Sequence, residues 1–178
     1  EKVNRAADIF ATDSPLPIDQ QQAVAILIQR FSHWMGKATT LKDDHGHLDW
    51  LNAARKKDWH YWRRYRDYQE DKLSDVVVDG LDEATDNILG LLEDPLRTSA
   101  WDRRGLVVGH VQSGKTSNYS GLICKAADAG YKIIIVLAGM HNNLRSQTQM
   151  RLEEGFLGYE TTDDRGAGKA IGVAYFGD

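Results

Sequence analysis

The sequence holds a single cysteine, Cys124, in 178 residues, which excludes an internal disulfide. One thiol suits a reducing compartment. A cytoplasmic location is therefore expected, and the Asn118-Tyr119-Ser120 sequon is read as inert. Cys124 shares a helical pattern with Leu122, Ile123 and Ala126, and is expected to be a small buried hydrophobe. No apolar run approaches the roughly 18 to 20 residues that span a bilayer. The longest, YKIIIVLAGM, falls far short, so no membrane partner is expected. The opening residues EKVNRAADIF lack the basic start, apolar middle and small-residue cleavage site of a secretory signal. They also lack an initiator Met, and the chain reads as an excised piece. Positive charge is not in excess either. The net charge of −4 argues against a protein coated in basic charge for nucleic acid, while leaving room for local patches. No repeat and no low-complexity stretch is visible, and 42% hydrophobic with 27% charged residues is the composition of a soluble globular protein.

What is present divides near Pro95. Before it the apolar residues recur at helical spacing. Ala23, Ile26, Leu27, Phe31 and Trp34 predict an amphipathic helix over 18–35, which Gly36 can end. A second helix is predicted over about 48–70. A third is predicted over about 74–92, with Leu81, Ala84, Ile88, Leu91 and Leu92 facing inward. From Gly105 the period changes. GLVVG and YKIIIVLAG are continuous apolar runs, and KTSNYSGLICKAADAG between them reads as a helix ended by Gly130. Continuous apolar strands are those buried on both faces. The expected fold class is therefore α/β. A helical N-terminal domain or extension over 1–95 precedes, over 96–178, part of a parallel sheet with flanking helices.

The octapeptide GHVQSGKT fits G-x-x-x-x-G-K-[ST], with Gly109, Gly114, Lys115 and Thr116 at the fixed positions. A triphosphate crowds anionic oxygens together. A loop that aims successive backbone N–H groups at them needs glycine where a Cβ would collide. Lys115 would set an ammonium against the β- and γ-phosphates and is the candidate catalytic residue. The Thr116 hydroxyl would complete the shell of a Mg²⁺, and the helix that starts there turns its positive end to the anion. The expected nucleotide site is Gly109, His110, Val111, Gln112, Ser113, Gly114, Lys115, Thr116 and Ser117, with ATP and Mg²⁺ as ligands. Hydrolysis also needs a carboxylate at the end of another strand. None of the acidic residues after Thr116 follows an apolar strand of four residues, so the chain is expected to stop before its Walker B element and to be a poor ATPase alone.

In superfamily-two helicases and translocases, the strand after the phosphate-loop helix leads into a segment that touches the nucleic-acid backbone. IIIVLAGMHNNLRSQTQ occupies that place. The longer block GLVVGHVQSGKTSNYSGLICKAADAGYKIIIVLAGMHNNLRSQTQMRLEEGFLG resembles the signature of the Z-one domain family. These are large bacterial proteins assigned as endonucleases and regarded as helicase-like ATPases of restriction or phage-defence systems. The resemblance covers about 101–158 and is weak over the helical first half. It implies a RecA-like sheet, a DNA partner, other subunits of a defence system, and an ATP-driven motor with Lys115 and Thr116 at the nucleotide. A second motor lobe, the acidic metal motif and any nuclease residues lie outside these 178 positions.

From the residues alone, Asn142, Asn143, Arg145 and Gln147, with Ser146, offer donors near a helix N-terminus, which suits phosphate contacts. The competing reading is that Asn142 or Asn143 caps the helix and that Arg145 and Arg151 pair with Glu153 or Glu154 on a solvated face. ARKKDWHYWRRYRDY interleaves six basic residues with aromatics, as single-strand binding surfaces do, yet Leu48, Leu51, Trp59 and Trp62 share a helix face and favour core packing. DDHGHLD gathers five potential metal ligands and is better read as a solvated loop. Trp101 either stacks on adenine or packs on the sheet, the latter being preferred. Two other functions compete with the motor: a P-loop kinase or phosphotransferase, and an interaction module that nucleotide merely regulates.

Overall fold

A computed structural model describes residues 41–42, 45–109, 114–161 and 168–177. The helix expected over 18–35 lies outside them. Four α-helices organise the described residues: α1 (Tyr61–Glu70), α2 (Asp75–Leu91), α3 (Lys115–Ala129) and α4 (Asn142–Leu152). A 3-10 turn, Ala53–Lys56, precedes α1. A π-helical turn, Glu153–Leu157, continues α4, and a second 3-10 turn spans Gly172–Tyr175.

The expected parallel sheet is not there. Among the described residues there is no strand, and the one β-type pairing is an isolated antiparallel bridge between Tyr159 and Ala170. The fold class α/β with a RecA-like sheet is thereby corrected to a helical one. Both apolar runs, 105–109 and 132–139, are neither helix nor strand, and their large side chains face solvent, from Leu106 and Val108 to Ile133, Ile135 and Leu137. Apolar character in a sequence records a preference for burial. It does not supply the neighbouring backbone that a ladder needs, and no described segment lies hydrogen-bonded beside either run.

The core sits among the helices instead. Trp50, Trp59, Trp62, Tyr65, Tyr68, Leu81, Leu89, Cys124, Ala126, Ala129 and Val173 form one buried cluster. α1 and α2, which precede Pro95, pack directly on α3, which follows it. The closeness of α1 to α3 is set by glycine: a Cβ at Gly121 would stand 3.0 Å from the Trp62 ring. A Cβ at Gly155, in the π turn, would stand equally close to Tyr65 on its other side. Of the aromatics of ARKKDWHYWRRYRDY, Trp59, Trp62, Tyr65 and Tyr68 are thus core, as helical spacing favoured, while Tyr61 is exposed.

The long helix expected over 48–70 is shorter. Asn52 Oδ1 accepts from the Arg55 N–H to start the 3-10 turn, and the chain bends again before Tyr61. This break lets both Trp50 and Trp59 reach the interior, with Trp50 Nε1 donating to the Leu92 carbonyl at 2.8 Å. α2 matches its expected bounds, although its buried stripe is Val78, Leu81, Thr85 and Leu89. Of the inward residues named from the sequence, only Leu81 is fully buried.

Candidate phosphate-binding site

α3 starts where the motif requires. Gly114 occupies its N-cap with φ +76°, ψ +22°, a left-handed conformation that costs glycine nothing and other residues strain. Lys115 is the first helical residue, and the Asn118 N–H closes the first turn on the Gly114 carbonyl at 3.0 Å. No side-chain bond caps this end at Gly114, and Gly114, Lys115 and Thr116 are all exposed. Lys115 Nζ folds back to donate to the Gly109 carbonyl at 2.9 Å, joining the two ends of the octapeptide. Thr116 is exposed in the same turn, and Ser117 is half-buried with its carbonyl accepting from the Tyr65 hydroxyl at 3.3 Å. His110, Val111, Gln112 and Ser113 lie outside the described residues.

Two polar clusters, the first built on a buried lysine, tie α3 to its neighbours. Lys125 is fully buried. Its ammonium donates to Asp82 Oδ1 and, at 2.8 Å, to the Asp82 carbonyl, and it reaches Asp86 Oδ1 at 2.6 Å. The Trp62 ring centroid is 4.1 Å from the same nitrogen. At the far end of α3, Asp128 serves another helix. Its Oδ1 accepts from the His60 and Tyr61 N–H groups at 2.9 and 3.0 Å, and its Oδ2 from the Trp62 N–H at 2.8 Å. These are the orphan donors of α1, whose own N-cap, His60, supplies no side-chain acceptor. Sequence reasoning missed both roles because each partner lies some forty to seventy residues away, with no local signature.

The segment entering the loop is anchored by Glu93. Buried at 3% exposure, it accepts from Arg97 at 2.7 Å and from Arg103 at 2.6 and 2.9 Å, and His47 Nδ1 lies 3.5 Å away. The Arg103 guanidinium, with Arg97 and His47, holds its carboxyl down at about 2. Tyr131, after α3, donates its hydroxyl to the Glu93 carbonyl, and burial pushes that phenol up to about 12. Of the loop DDHGHLD, then, His47 lies beside the Glu93 carboxylate, and among the described residues no group of three ligands gathers for a metal. Trp101 stands 41% exposed, edge-on to Tyr131, rather than packed on a sheet.

Three acidic residues after Thr116 are engaged elsewhere. Asp128 lies 12 positions from Thr116, about 18 Å along the helix axis. Glu153 accepts from Gln149 at 3.0 Å and from the Thr161 N–H at 3.1 Å, contacts that lower its pKa, led by the Thr161 hydroxyl. Glu154 faces Arg151 and Tyr68. Asn142, Asn143, Arg145 and Gln147 all stand exposed on α4. The N-cap of α4 is His141, without a side-chain bond, so neither asparagine caps it. Arg145 lines a hollow of about 290 Å³ with Thr148, Gln149, Val136 and Ala138. Three of the six basic residues in ARKKDWHYWRRYRDY are in ion pairs: Arg55 with Asp94, Lys56 with Asp86, and Arg66 with Glu70, Asp79 and Asp82. Cys124 is buried and its thiol pushed up by desolvation. Among the described residues no helix is long and apolar enough to cross a membrane. No family model matches the chain, and neither the curated proteins nor the solved structures include a match.

Proposed function

We propose that the chain binds the phosphates of ATP with Mg²⁺ at the loop 109–116 and the N-terminus of α3, as the nucleotide-binding part of a DNA-stimulated motor. The observation that carries the nucleotide reading is the junction at Gly114. A left-handed glycine delivers the chain into an uncapped helix whose first residue is a lysine already folded over the loop. Exposed N–H donors, an ammonium and a hydroxyl then share one turn, which is the donor set a polyphosphate takes. Lys115 would leave the Gly109 carbonyl for a phosphate oxygen, and Thr116 would face the metal ion. The metal ion would supply charge neutralisation between the phosphates. Asp128, Glu153 and Glu154 are committed to protein partners, so the carboxylate for hydrolysis is not among them. The DNA reading rests on the quoted block's resemblance to the Z-one domain family and on the exposed donors of α4.

The test is calorimetric titration of a non-hydrolysable Mg-ATP analogue into the wild type and K115A, with turnover measured in the same samples. Saturable binding is expected. A charge-assisted contact of this kind contributes about 1.5–3 kcal/mol, so K115A should bind about 10- to 100-fold more weakly, with turnover near background in both. Absence of binding by folded wild type would refute the reading. Phosphate transfer to a small acceptor would favour a kinase instead.

A further inference from the structure

The run Lys132–Ala138 is the least expected surface of this molecule. It is neither helix nor strand, and among the described residues none of its backbone N–H or C=O groups is hydrogen-bonded. Its exposure alternates with period two. Ile133, Ile135 and Leu137 stand 78, 77 and 91% exposed, while Ile134 and Val136 are at 38 and 41%. Of the less exposed set, Val136 lines a hollow with Ala138, beside Arg145 and Gln149 of α4. The segment therefore offers an open apolar face and, among the described residues, a backbone without a partner, as the edge of a sheet does.

We propose that this segment pairs antiparallel with the same segment of a second copy of the chain, about a two-fold axis at Ile135. Three features select a second copy. The apolar run is symmetric about its centre, so antiparallel pairing sets Ile133 opposite Leu137, Ile134 opposite Val136 and Ile135 opposite itself, every pair apolar. The only charge, Lys132, falls at opposite ends of the two strands, where a parallel partner would stack like charges. Finally, the outward side chains of Ile133, Ile135 and Leu137, with Met140 beyond them, offer on the order of 700 Å², close to what each partner brings to a standard interface. An apolar patch of that size exceeds what a soluble monomer ordinarily leaves open.

Sedimentation equilibrium of the whole 178-residue chain, beside I135K, tests this. A concentration-dependent dimer is expected for the wild type. In I135K, two ammonium groups meet at the axis, and the dimer dissociation constant should rise about a hundredfold with the helical circular dichroism unchanged. Register is read separately by oxidising I135C and I133C. At the axis the Cα atoms of an antiparallel pair lie about 4.5–5.5 Å apart, within disulfide range, so I135C should cross-link to a dimer. Residue 133 of one copy would lie about 14 Å from residue 133 of the other, so I133C should not. A wild type that stays monomeric, open-ended oligomers, a dimer that survives I135K, or equal cross-linking of both cysteine variants would each overturn the proposal.

Discussion

At the residue scale the decisive contacts are a few buried ions whose partners are supplied from far along the chain. Glu93 illustrates the consequence for pH. Its carboxyl ordinarily titrates near 4.5 and is held at about 2 in the fold, foremost by Arg103. A carboxylate depressed on folding contributes stability at pH values above its unfolded value, and that contribution is lost as pH falls through the folded value. The wild type should therefore lose stability between about pH 4.5 and pH 2, while E93Q, weaker at neutral pH, should lose less over the same interval. Urea midpoints of both proteins at pH 6 and pH 2.5 measure it; parallel loss in the two would contradict the assignment. The residues of the phosphate loop were legible because their spacing is local: Gly114 and Lys115 stand where the motif put them. Glu93 and Lys125 were not, since a buried ion announces itself only through partners that folding brings together.

At the scale of elements, helices whose ends carry sequence signals were readable and the others were not. α3 runs from Lys115 to Ala129 with Gly130 beyond it in a left-handed conformation, as the sequence indicated. α1 starts late because its start is decided by a carboxylate on another helix. Removing that carboxylate should unseat it. A side-chain cap contributes typically about 1 kcal/mol, up to about 2, and Asp128 receives three N–H groups with a full charge. D128A should lower stability by about 1–2 kcal/mol, and amide exchange at Tyr61 and Trp62 should accelerate more than exchange within α2. Uniform acceleration across both helices would mean a global effect rather than a lost cap. The apolar runs were misjudged for the opposite reason. Their period and composition are those of strands, but a sheet is a property of neighbours.

At the scale of the whole molecule, α1 and α2 share one core with the phosphate-loop helix α3. Lys125 ties α3 to α2, and Tyr65 and Trp62 tie it to α1. Amides of α2 and α3 should therefore lose exchange protection at the same denaturant concentration, as one cooperative unit. Two separated transitions would show that the halves fold independently. The cap by Asp128 also orders events in time. α1 has 10 residues, too few to persist alone in water, and its acceptor is 66 to 68 positions downstream. During synthesis α1 cannot be completed until Asp128 has left the ribosome, and the chain must then close that long loop. α1, made before α2 and α3, is consequently among the last elements to become native, and its arrival coincides with the docking of the helix that begins at the phosphate loop.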